Sequence, residues 1–241
     1  MASNMNARDS HVTRGVRPLA PDPSSVLATV VPITSAQGHR GSPPKSAMAK
    51  HSDPDNAAIV SAFIAGEPTA ATALFDAYGP HMRRIVTRLL GSDTEYEDVL
   101  HDAITRVLGS INNLRDPEAL GAWITQITVR SARDRIRKRT RGRWLWFLAS
   151  EDVPEVATEP ICHDTQRILA RVYHHLDALD PLQRVVLALH DIERMSLAET
   201  AAASGLSVAT VKRKLSRARA AFIARARNDP WLADRVAPED P

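Results

Sequence analysis

The chain has 241 residues, 44% of them hydrophobic, and 31 Lys and Arg against 28 Asp and Glu give a formal net charge of +3. That length admits one sizeable core or two small ones, and the single cysteine, Cys162, excludes an internal disulfide and a thiolate zinc cluster within the chain. No apolar run approaches the roughly 18 residues needed to cross a bilayer, so the sequence predicts a soluble, cytoplasmic protein that is not membrane-embedded.

Residues 1–55 are rich in Pro, Ser, Ala and Gly, as in RPLAPDPSS and GHRGSPPKSA, without a sustained period. Such a segment buries too little apolar surface to offset its ordering entropy and is expected to be a disordered extension. Its best apolar run, Ser24 to Val31, stops at Pro32, which favours a flexible tail over a secretory signal. Met48 stands directly before the first amphipathic pattern and offers a second start.

Residues 56–142 read as a first helical domain. Ile59, Phe63 and Ile64 begin a short helix ending near Gly66, and Pro68 opens another with Ala71, Leu74, Phe75 and Tyr78 on one side, continued by Ile85, Leu89 and Leu90 up to Gly91. In SDTEYEDVLHDAITRVLGSI, Ser92 or Asp93 is a cap and acids fill the first turn, while Val99, Ala103, Val107 and Leu108 form the buried stripe. After a turn at Pro117, Trp123, Ile127 and Ile136 face inward. Arg130, Arg133, Arg135, Arg137, Lys138, Arg139, Arg141 and Arg143 build a basic surface opposed by Asp134 alone, which sits at helical pairing distance from Arg130, Arg137 and Lys138.

Residues 143–163, with two prolines and several acids, read as a linker, and its Trp144, Trp146 and Phe147 read either as an aromatic group that stacks on bases or binds a partner or, the favoured reading, as a hydrophobic anchor against a neighbouring helix. The second domain, 164–227, opens with a helix through Ile168, Leu169, Val172, Leu176 and Leu179. Asp180 then caps a helix whose first residue is Pro181. Ser196 and Glu199 form a capping box for a short Ala-rich helix, Gly205 supplies a left-handed turn, and Ser207 caps a last helix. That helix aligns Val208, Val211, Leu215, Ala218 and Phe222 on one stripe and leaves Lys212, Arg213, Lys214, Arg217 and Arg219 on the others. No Asp or Glu occurs between Glu199 and Asp229, so these charges lack acidic partners on their own helix and are built to meet an anion. A short helix, a Gly-containing turn and a basic helix make a helix-turn-helix unit, whose second helix enters the major groove. Residues 228–241 read as a C-terminal tail.

Two basic helical domains in this order resemble the extracytoplasmic-function (ECF) sigma factors, small initiation subunits of bacterial RNA polymerase. In the second domain the resemblance rests on Leu176, Leu179 and Arg184, on Leu197, Glu199 and Ala201, and on Thr210, Val211, Lys212, Arg217, Ala218 and Arg219. In the first it rests on Asp98, His101, Asp102 and Ile104, and on Trp123, Ile127, Arg130, Asp134 and Arg137. His101 stands where the family usually has Gln, Ile104 where it has Phe, and Arg130 where it has an Asn that helps to read a promoter base.

The resemblance implies an all-α fold of two small helical domains, region 2 and a region 4 helix-turn-helix, joined by a linker. It implies no catalysis, no cofactor and no metal. Asp98, His101 and Asp102 would contact core polymerase, and Trp123, Gln126, Arg130, Arg133, Asp134, Arg137 and Lys138 would engage the −10 element. The Asn113–Ala122 loop would capture a flipped base. Thr210, Lys212, Arg213, Lys214, Ser216, Arg217 and Arg219 would read the −35 element. Core polymerase, promoter DNA and an anti-sigma protein are the implied partners.

Two rival readings come from the residues themselves. A helix-turn-helix repressor or activator would need no second basic helix, which the run from Arg130 to Arg143 supplies. A metal-dependent nuclease would use Glu97, Asp98 and Asp102, of which Asp98 and Asp102 at i,i+4 can approach one ion, but no further carboxylate is placed to complete the site. Adjacent His174 and His175 point about 100° apart on a helix and cannot readily share an ion.

Overall fold

A computed structural model of the chain describes residues 55–91, 95–146 and 163–235. Among these residues eight α-helices follow in order: α1 (Asn56–Ile64), α2 (Ala70–Leu90), α3 (Tyr96–Ser110), α4 (Leu120–Trp146), α5 (His163–Asp177), α6 (Pro181–Leu187), α7 (Leu197–Ser204) and α8 (Val208–Ala226). Among the described residues there is no strand, and no helix is long and apolar enough to cross a membrane.

In the first domain α2, α3 and α4 pack on one another, with α1 laid across α2. Leu74, Met82, Ile85, Leu89, Ala103, Val107 and Ile124 are fully buried between them, each contributing about 1.5–3 kcal/mol of apolar burial if large. Pro80 lies inside α2 on its exposed side, where the carbonyl its ring leaves unpaired can reach water. The cap expected at Ser92 or Asp93 falls outside the described residues, and Glu95 holds the N-cap position of α3 without a side-chain cap bond. Three side chains expected inside are not: Ala71 is exposed, and Ile64 and Leu108 are 70% and 36% exposed. Each sits at the margin of its apolar stripe, where helical spacing cannot tell the core edge from the surface.

The second domain matches its caps closely. Asp180 accepts from the Leu182 and Gln183 N–H groups, with Pro181 at the first helical position. Ser196 and Glu199 form the reciprocal capping box, Gly205 has φ +69, and Ser207 accepts from Thr210 N–H. Between α6 and α7 the chain widens into a π turn, Ala188–Ile192, and Arg194 follows with φ +63. Such a turn is uncommon and concentrates where side chains must be re-aimed. Here it re-aims Asp191 and Glu193.

The expected C-terminal tail is corrected at its start. Asp229 and Leu232 are buried, and Ala233–Arg235 forms a 3-10 turn. Asp229 accepts from His175 Nε2 at 2.6 Å, Arg171 Nε at 2.8 Å and the Trp231 N–H at 2.9 Å. Burial alone pushes this carboxyl up, but the bonds from His175, Trp231 and Arg171 outweigh it and hold the group below its usual 3.8. A carboxyl depressed in the folded state contributes stability that is present above its unfolded value and lost as pH falls through its folded one. Asp229→Asn should therefore cost about 2 kcal/mol at neutral pH and flatten the acid side of the stability curve, as read by urea unfolding across pH 3 to 7.

The linker is shorter than expected, because α4 runs through Trp146 and α5 starts at His163. The side chains of Trp144 and Trp146, and Phe147 altogether, lie outside the described residues. The two domains touch: α4 packs on α6 and α7, and α2 packs on the π turn. Tyr173 Oη donates to Thr87 O at 3.1 Å, and Arg184, 1% exposed, donates to Leu89 O through Nε at 3.0 Å and Nη2 at 2.7 Å. The last carbonyls of a helix have no partner within it, so the second domain caps the C-terminus of α2.

Candidate nucleic-acid and polymerase interfaces

The last helix holds its apolar stripe inward. Val211, Leu215, Ala218 and Phe222 are buried, whereas Val208, expected with them, is 40% exposed because it opens the first turn beyond the core. Lys212, Arg213, Ser216 and Arg217 are exposed and Thr210 is half-buried. Lys212, Arg213 and Arg217 form no ion pair among the described residues, which leaves three cations along one surface.

Two predicted reading residues have acidic partners from elsewhere in the fold. Arg219 donates through Nε and Nη2 to both oxygens of Asp191, at 2.9 and 2.6 Å, and these bonds, outweighing its partial burial, raise its pKa above the ordinary value. This bidentate pair orients Arg219 on the π turn and gives its guanidinium an acidic partner that Lys212, Arg213 and Arg217 lack among the described residues. Lys214 lies 3.6 Å from Asp180, tying the recognition helix to the cap of α6.

On α4, Gln126, Arg130, Arg137, Lys138 and Arg141 are exposed. At 100° per residue Gln126, Arg130, Arg133, Arg137 and Arg141 fall within roughly 80° of one another. Arg130, Arg137, Lys138 and Arg141 have no ion pair among the described residues. Arg135 pairs with Glu95 and Arg139 with Asp177. Asp134 pairs with Arg106 of α3 at 3.4 Å, a contact between helices in place of the i,i±4 pair considered from sequence. Arg133 is half-buried and donates to Ser204 O at 3.5 Å. Trp123 is half-buried against the core.

The loop before α4 is pinned by Ile111 and Leu120, both fully buried, while Asn112, Asn113, Arg115, Asp116 and Glu118 stay exposed. Asp116 caps its 3-10 turn through Glu118 N–H.

On α3, Glu97, Asp98, His101 and Asp102 share an exposed face, and Asp102 pairs with Arg106 one turn later at 3.0 Å. No three His, Cys, Asp or Glu side chains among the described residues gather as a metal-ion site. The sequence reading missed Asp191 and Glu193, whose only local signal is a pair of acids next to a turn.

Residues 74–142 match sigma-70 region 2 and residues 169–222 match sigma-70 region 4. The chain is 32% identical over 139 residues to the RNA polymerase sigma-E factor of Streptomyces coelicolor, covering 56% of this chain and 73% of that protein. It is 31% identical over 174 residues to the ECF RNA polymerase sigma factor SigE of Mycolicibacterium smegmatis, covering 64% of this chain and 66% of that one. Among solved structures it is similar to CnrH in complex with the cytosolic domain of CnrY, with a TM-score of 0.51 and 26% identity over 73% of this chain and 99% of that chain.

Proposed function

This chain belongs to the extracytoplasmic-function sigma factors, and from that premise we propose which of its surfaces carries each step of promoter-specific transcription initiation. Residues 56–142 act as region 2 and 164–227 as region 4. The acidic face of α3, with Asp98, His101 and Asp102, docks on core polymerase. The exposed edge of α4, with Gln126, Arg130, Arg137 and Lys138, engages the −10 strand with Arg133, while Trp123 and Asp134 shape its base. On α8, Lys212, Arg213, Ser216 and Arg217 enter the −35 major groove, with Thr210 and Lys214 at its margins.

The observation that carries this reading is that each domain has a helix keeping several outward cations without an ion pair among the described residues: Arg130, Arg137, Lys138 and Arg141 on α4, and Lys212, Arg213 and Arg217 on α8. Cations left unpaired within a fold are free to neutralise phosphates and release counterions. Arg130 offers a fork of donors but no acceptor, so it favours a base edge or phosphate that accepts. The protein does no chemistry of its own on this reading and works in the cytoplasm with the polymerase. Because the similar CnrH is held by the cytosolic domain of another protein, an inhibitory anti-sigma protein is proposed as a further partner.

Transcription in vitro with bacterial core polymerase, this chain and a genomic fragment library tests the assignment. Transcript starts preceded by two spaced elements are expected. Duplex binding with neither core binding nor starts would move the assignment to a helix-turn-helix repressor.

A further inference from the structure

The turn that leads into the helix-turn-helix carries a residue its backbone does not favour. Glu193 N–H donates to Ala188 O at 2.8 Å and Met195 N–H to Leu189 O at 3.0 Å. Arg194 between them occupies the left-handed position of a helix C-cap, at φ +63. Glycine is the usual residue there, because a side chain crowds the backbone at positive φ. The conformation itself serves the turn, since it delivers Ser196 to the cap of α7, but nothing in the turn asks for an arginine. Arg194 is exposed, and its side chain forms no hydrogen bond or ion pair among the described residues.

We infer that Arg194 is a phosphate contact that seats the helix-turn-helix on duplex DNA from outside the groove; the inference rests on the functional reading of α8 given above. The first helix of such a unit crosses the DNA backbone while the second enters the groove, and Arg194 stands just ahead of that first helix, α7. The turn is also fixed against the recognition helix, because Asp191 accepts from two nitrogens of Arg219, just past Arg217. On its other side His190 Nδ1 lies 2.7 Å from Met195 O. The backbone that carries Arg194 is therefore held in a set relation to α8.

The neighbouring acids do not claim this cation. Asp191 is taken by Arg219, and Glu193 is turned into the first domain, 2.5 Å from Arg84 Nε and 3.7 Å from Arg88 Nε. Glu199, the next acid along the chain, accepts from the Ser196 N–H at 2.8 Å. With these carboxylates engaged, Arg194 is left for an anion from outside the chain. Its planar fork of donors matches phosphate oxygens in pairs, and a contact made outside the groove is blind to base sequence.

Binding of the full chain to a short mixed-sequence DNA duplex across a salt series tests this. Arg194→Gly gives the turn the residue its φ prefers, so the urea midpoint should rise. The same variant should lose about threefold in duplex affinity, with the log–log salt slope falling by roughly 0.9. Arg194→Lys keeps the charge and should hold the wild-type slope. Arg167→Ala removes an equal charge from α5, where that side chain lies 5.6 Å over the Trp231 ring, and should hold it too. A slope unchanged in Arg194→Gly, or lowered as much by either of the other two variants, overturns the contact. Lys212→Ala with Arg217→Ala reads α8 in the same series, so a failure of the functional reading shows separately, as a slope that this pair does not move.

Discussion

Lys212→Ala combined with Arg217→Ala is expected to remove promoter-specific starts in vitro and to weaken duplex binding by about tenfold or more, with the log–log salt slope falling by roughly 2. Both side chains are exposed and neither pairs within the described fold, so the thermal midpoint should stay at the wild-type value. Filter binding across a salt series separates the two contributions. A phosphate contact changes the slope for all sequences, whereas a base contact changes discrimination between sequences. An unchanged slope would remove α8 from the DNA interface. Arg219→Ala is the contrasting variant: its loss should appear first as lowered stability, because its guanidinium is spent on Asp191.

Arg184→Ala is expected to cost about 3 kcal/mol in urea unfolding, the low end for breaking a buried charged pair. The side chain is 1% exposed, satisfies Leu89 O twice and pairs with Asp177. Asp177 keeps Arg139 when Arg184 is lost, which limits the penalty on the carboxylate. Leu89 O has no such second partner from the second domain and would be stranded at the boundary. Arg184→Met keeps much of the packing volume, so a similar cost for both variants would assign the effect to the lost bonds. A cost under about 1 kcal/mol would show that water replaces them.

Features decided within a few residues were legible in the sequence. Asp180, Ser196 with Glu199, Gly205 and Ser207 each act on backbone groups two to four residues away, and their chemistry admits few alternatives. The buried stripe from Val211 to Phe222 was legible for the same reason, and the exposure of Val208 marks where periodicity meets the end of the core. The candidate site was half legible. The cations without an ion pair on α4 and α8 could be found from the scarcity of acids on their own helices, Asp134 alone on α4 and none on α8. Their captured neighbours could not, since the partner of Arg219 lies 28 residues away and that of Arg133 lies 71 away. The π turn has no periodic signature at all, and the burial of Asp229 depends on His175 and Arg171 in a helix more than 50 residues earlier.

The cap that Arg184 places on α2 has a bearing on how such chains can be recombined. Gly91, at φ +78, leaves the last turn of that helix open to the Tyr173 ring, and a Cβ there would come within 2.9 Å of it. Leu89, Gly91, Tyr173 and Arg184 therefore form one inheritance unit spread over both halves of the molecule. A chimera joining this first half to a relative's second half would keep its reading surfaces yet lose its seam, unless the glycine, the tyrosine and the arginine travelled together.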